Sequence, residues 1–119
     1  MSESVMCRLG EIAHARSGDK GGGANVGIIA YTDAGYAWLV DHLTADSLAG
    51  FFAPFDPGEV KRYELPNLRA LNFVLPSVLA GGGSRSLRID AQGKALGQIA
   101  LEMPIPLTQD QVAAMGRQA

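Results

Sequence analysis

The chain has 119 residues, 47% hydrophobic and 18% charged, and its ten basic and twelve acidic side chains leave a formal charge of −2. That balance belongs to a globular protein of single-domain size; it excludes intrinsic disorder and gives no global electrostatic case for nucleic acid or an anionic membrane as a partner. One cysteine, Cys7, rules out an intrachain disulfide, and with only His14 and His42 beside it a metal centre is poorly supported.

The amino-terminal stretch MSESVMCRLGE lacks a basic segment followed by an apolar one, and no run reaches the roughly 18 apolar residues of a membrane span. A soluble, cytoplasmic protein is expected. Val5 to Ala15 nearly alternates apolar and polar residues, the period of a strand. The glycine-rich stretch HARSGDKGGGANVG, His14 to Gly27, then reads as a loop. ANVGIIAYT is β-branched and apolar throughout, as in a strand buried on both faces, and Gly27 within it suggests close backbone approach.

From Asp33 apolar residues recur at spacings of three and four, which predicts a helix to about Leu43 capped by Asp33 or Thr32. Thr44 starts a second, shorter helix. FAPFDPGE, with two prolines and a glycine, is a loop, and VKRYELP alternates as a strand stopped by Pro66. In NLRALNFVLPSVLAGGG, Leu68, Leu71, Val74, Leu75 and Val78 fall on one helical stripe with Asn67 as N-cap, although Pro76 interrupts it. SRSLRIDAQGKALGQIALEMPI reads as a hairpin turning at Gly93, and the tail beyond about residue 107 as one weak, fraying helical turn. No repeat or linker divides this order. It predicts one α+β domain of ferredoxin-like type, an antiparallel or mixed sheet of four to five strands with two helical segments on one face.

The parts of an anion site lie in SGDKGGG: glycines that let backbone N–H groups approach a ligand, the Ser17 hydroxyl and the Lys20 ammonium. It is neither a Walker loop, since Lys20 precedes the glycines, nor a dinucleotide fingerprint. A turn whose side chains bond their own backbone accounts for the same residues equally well. Asp19 and Lys20 have the residue types of a proton-transfer pair, but consecutive residues of an extended chain face opposite ways. Asn67 and Asn72 read first as a cap and as a helix residue, and Arg85 as either an anion clamp or a surface charge. Trp38, Phe51 and Phe52 suit a core or an interface.

Taken together, AHARSGDKGGGANVGIIA, VKRYELPNLRALNFVL and GGGSRSLRIDAQGKALGQIALEMPI, in this order and spacing, resemble the small AtuA-like ferredoxin-fold domain of the acyclic terpene utilisation family. The resemblance runs from Cys7 to about Pro106. Ser17, Gly18, Asp19, Lys20, Gly21, Asn25, Asn67, Asn72 and Arg85 match its motifs, as do Asp90, Gly93 and Lys94. Gly22 and Gly23 depart from it, the family commonly carrying a polar or acidic residue there. The resemblance implies a place in acyl-CoA or branched-chain and terpenoid metabolism as an accessory subunit of a large AtuA-type partner, with Trp38, Phe51 and Phe52 as interface anchors. It supplies no cofactor and no established mechanism.

In that reading Lys20, the glycine amides and Arg85 bind the anion or acyl-CoA, while Asp19 and Asn25 orient it. A stand-alone hydratase or isomerase using Asp19 and Lys20, and a structural homo-oligomer without ligand, are the alternatives.

Overall fold

The computed structural model describes residues 3–20, 23–77 and 95–117. Strands β1 (Val5–Arg8) and β6 (Pro104–Leu107) form a two-stranded antiparallel ribbon. Strands β2 (Ala13–Lys20), β3 (Gly23–Ala30), β4 (Lys61–Leu65) and β5 (Ala70–Leu75) form a second antiparallel sheet in the order β2-β3-β5-β4. Helices α1 (Asp33–His42) and α2 (Ala45–Phe51) cross from β3 to β4. Since β5 is antiparallel to both, β3 and β4 run the same way with β5 between them, a split β-α-β unit.

The helical starts are fixed locally. Thr32 Oγ1 accepts from the Gly35 amide at 3.0 Å to begin α1, and Thr44 and Ser47 form a reciprocal capping box at α2. Helix α3 (Ala95–Ala100) packs on β2 and β3, and α4 (Gln109–Met115) on α1. One face of the four-stranded sheet thereby meets the helices in a core that includes Val26, Ile28, Phe73, Leu39, Phe52 and Leu96.

The stretch from Ala70 to Leu75 is a strand rather than a helix: Leu71, Phe73 and Leu75 are buried while Asn72 and Val74 are half-exposed, and only a central strand leaves no unpaired edge between β3 and β4. Asn67 accordingly caps no helix but lies exposed in a short 3₁₀ turn, Pro66–Leu68, that the left-handed Arg69 (φ 53°) closes before β5. Residues 95–100 form a helix in place of a returning strand, because Leu96 and Ala100, four apart, both bury against the sheet. The other arm of that hairpin lies outside the described residues. Strand β3 is buried on one face only. The tail forms α4, held by a Thr108–Gln111 capping box and the buried Met115. Trp38 and Phe52 are core residues, 9% and 0% exposed, so of the three expected interface anchors only Phe51 keeps part of its surface.

Arg62 links strand to helix. Its guanidinium donates to the Val40 and Leu43 carbonyls at 3.0 and 2.9 Å and to Glu64 at 2.9 Å, placing a cation at the carboxyl end of α1. Arg62→Ala is expected to lower stability by about 2 kcal/mol in urea unfolding, since charged hydrogen bonds to orphan carbonyls are lost; Glu64→Ala, at the exposed end, should cost well under half of that. Nearby, the buried Tyr36 hydroxyl has no hydrogen-bond partner among the described residues. Burial raises its pKa, with Glu64 adding to the shift and Arg62 opposing it. Tyr36→Phe is expected to leave the thermal midpoint unchanged or higher, because it removes a desolvated group that gains nothing in return.

Candidate functional site

The face of the four-stranded sheet turned away from the helices is covered by no described element. Opposed residues in an antiparallel sheet share a face. The register therefore strings that face into three rows: His14–Ile29–Ala70–Leu65, Arg16–Gly27–Asn72–Tyr63 and Gly18–Asn25–Val74–Lys61. None of these positions is acidic. Gly18 and Gly27 leave the middle without side-chain bulk, and a trough of about 490 Å³ results, of a size with small-ligand sites.

The trough is two-ended. Ile29, Leu65, Leu68 and Ala70 line one end, and Arg16, Gly18, Asn25 and Asn72 the other. Leu65 and Leu68 are 40% and 63% exposed, large apolar surfaces left in solvent beside the trough. Asn25 Nδ2 donates to Asn72 Oδ1 at 3.2 Å, joining the two central strands at the polar end. His14 at the rim stacks on Tyr31, their centroids 5.4 Å apart.

The residues singled out in the sequence divide on this geometry. Gly18, Asn25 and Asn72 meet in the trough. Ser17 borders it, but its hydroxyl accepts from the Gly97 amide of α3 at 3.1 Å, on the helical side of the sheet. Asp19 and Lys20 are consecutive strand residues, paired with Ala24 and Gly23, so they have opposite parity in β2. The expected glycine loop is thus mostly strand: the hairpin register reaches Lys20↔Gly23 with two residues between. Gly21 and Arg85 lie outside the described residues. Asn67 does not line the trough.

Gly23 answers to the backbone, since a Cβ there would meet the Pro76 and Leu75 carbonyl oxygens at 2.6 and 2.7 Å. Gly27 is the reverse of the close approach expected of it: its Cβ would meet nothing nearer than the Arg16 carbonyl oxygen at 3.7 Å.

Arg16, Gly27 and the leucines were missed as site residues. The signal that finds them is the hairpin count outward from Lys20↔Gly23, which opposes Gly18 to Asn25 and Arg16 to Gly27. Chemically, the described lining offers a guanidinium, two amides, an imidazole and an apolar shelf, with no carboxylate. Among the described residues no group of three His, Cys, Asp or Glu side chains comes together to hold a metal, and no helix is long and apolar enough to cross a membrane.

The split β-α-β arrangement with helices on one face of an antiparallel sheet defines an α+β domain of ferredoxin-like type. The chain belongs to the AtuA ferredoxin-like domain family, whose model matches residues 7–106. Neither the curated proteins nor the solved structures give a match.

Proposed function

We propose that this domain is an accessory module that binds an organic anion with an apolar tail and presents it to a large AtuA-type partner. One observation carries the reading: a cation and a hydrogen-bonded amide pair stand at one end of a trough whose other end is an exposed aliphatic shelf, with no carboxylate among the described lining residues. An anionic head would lie by Arg16, and Lys20 would add a second cation from the same strand. Its chain would cover Ile29, Leu65 and Leu68, gaining roughly 25 cal/mol for each Å² of apolar surface removed from water.

Acyl-CoA or branched-chain and terpenoid metabolites have this amphipathic character. They are the proposed ligand class.

The test is calorimetric titration of the purified chain with undecanoate, a carboxylate on an unbranched tail, followed by the same titration after co-expression with a large AtuA-type protein. Saturable binding that Arg16→Gln weakens, and a complex that co-elutes on gel filtration, are the expected results. Binding indifferent to Arg16→Gln removes the anion reading. A chain that stays separate from the large protein removes the accessory role.

A further inference from the structure

The hydrogen bond between Asn25 and Asn72 constrains what the polar end of the trough can recognise. Each side-chain amide has one carbonyl acceptor and two N–H donors, and one bond joins the pair at 3.2 Å. Whichever amide is the donor in that bond, it keeps its own carbonyl free, and the other keeps its NH₂ free. The conclusion therefore does not depend on how either amide is oriented. Among the described residues neither side chain makes another hydrogen bond.

The bonded pair thus retains an unused carbonyl on one amide and an unused NH₂ on the other, so both an acceptor and a donor remain for a ligand. A carboxylate can use only the donor, because it has no hydrogen to give and would set an oxygen against the free carbonyl. A secondary amide has both complements, C=O and N–H, in one rigid plane. The floor suits a flat group: Gly18 and Gly27 have no side chains, and the Asn25 carbonyl oxygen lies only 3.5 Å from where a Gly18 Cβ would stand. The Asn25 and Asn72 positions are diagonal across β3 and β5, Asn25 opposing Val74 and Gly27 opposing Asn72, so the pair bridges the two central strands at the polar end of the trough.

We infer that the Asn25–Asn72 pair reads a secondary amide, so that the trough takes an N-acyl compound whose acyl chain lies on Ile29, Leu65 and Leu68 and whose acidic group lies near Arg16. This rests on the reading of the trough as an anion site and adds the amide to it. Loss of the ligand N–H leaves a desolvated carbonyl unpaired, which is the asymmetric cost that gives hydrogen-bonding sites their selectivity.

The experiment compares three probes of matched length by calorimetry: N-octanoylglycine, its ester isostere octanoyloxyacetate, and undecanoate. The wild-type chain is expected to bind N-octanoylglycine at least about fivefold more tightly than either of the others, the size of one net hydrogen bond. The Asn25→Val/Asn72→Val double variant, both changes lying on the uncovered sheet face, is expected to bind all three alike. Should that variant not fold, Asn72→Thr serves instead and is expected to lose most of the preference. Equal binding of the three probes by the wild type overturns amide recognition while the anion site stands. A preference that survives in the variants overturns its assignment to this pair. No binding of any probe overturns both readings.

Discussion

Gly27→Val is expected to weaken undecanoate binding by more than tenfold while the thermal midpoint stays the same or rises. The two effects separate because of where Gly27 stands. A Cβ there meets only an ordinary van der Waals contact, the Arg16 carbonyl oxygen 3.7 Å away, and a valine grows into the trough between Arg16 and Asn72. Filling that space removes both the flat floor and the approach to the amides. For the strand itself the change is favourable, since glycine inside a strand costs roughly 0.5–1 kcal/mol relative to alanine and β-branched residues suit the pleat.

Gly23→Val, four residues earlier on the same strand, is expected to do the opposite. Its Cβ would stand 2.6 Å from the Pro76 carbonyl oxygen, and a backbone atom of β5's end cannot move aside as a side chain can. Calorimetry and thermal melts on the two variants read the contrast directly. Undiminished binding by a folded Gly27→Val protein would place the ligand elsewhere.

Phe73→Ala is the largest stability loss expected in the molecule. Phe73 is fully buried in β5, the strand flanked by β3 and β4, with its ring in the layer between sheet and helices. Removing a buried aromatic ring forfeits its transfer free energy and leaves a cavity that a close-packed interior closes only in part, together about 3–5 kcal/mol. Against the 5–15 kcal/mol typical of a domain, that is a large share. Urea unfolding should show the midpoint falling in proportion, and a loss under about 1.5 kcal/mol would mean that the helices do not rest on β5 as described. Leu68→Ala, 63% exposed in the turn before β5, is the counterpart. Its stability should be nearly unchanged, and undecanoate should bind several-fold more weakly because the shelf is shortened.

The sequence alone determined whatever depended on neighbours in the chain. Thr32 and Thr44 announced the starts of α1 and α2 because a cap is a bond between residues three apart. The β-branched run after Gly23 and the alternation of Lys61–Leu65 announced β3 and β4. Three separated motifs carried the family, which the match over residues 7–106 bears out. Asn25, Asn72 and Gly18 entered as candidates through the motifs that carry the family resemblance.

Tertiary structure decided what local pattern left ambiguous. Leu68, Leu71, Val74, Leu75 and Val78 satisfy a helical stripe, while Leu71, Phe73 and Leu75 satisfy a strand. The choice falls to the strand because β3 and β4 each have an edge that β5 pairs. Residues 95–100 became a helix because the sheet offers Leu96 and Ala100 a surface to cover. The trough belongs to no segment: Arg16, Gly27, Asn72 and Leu65 come from four strands, and only the register of the sheet sets them side by side. A binding face built from single residues on each strand has no sequence spacing of its own, since the loops that separate those residues along the chain do not enter the geometry that joins them.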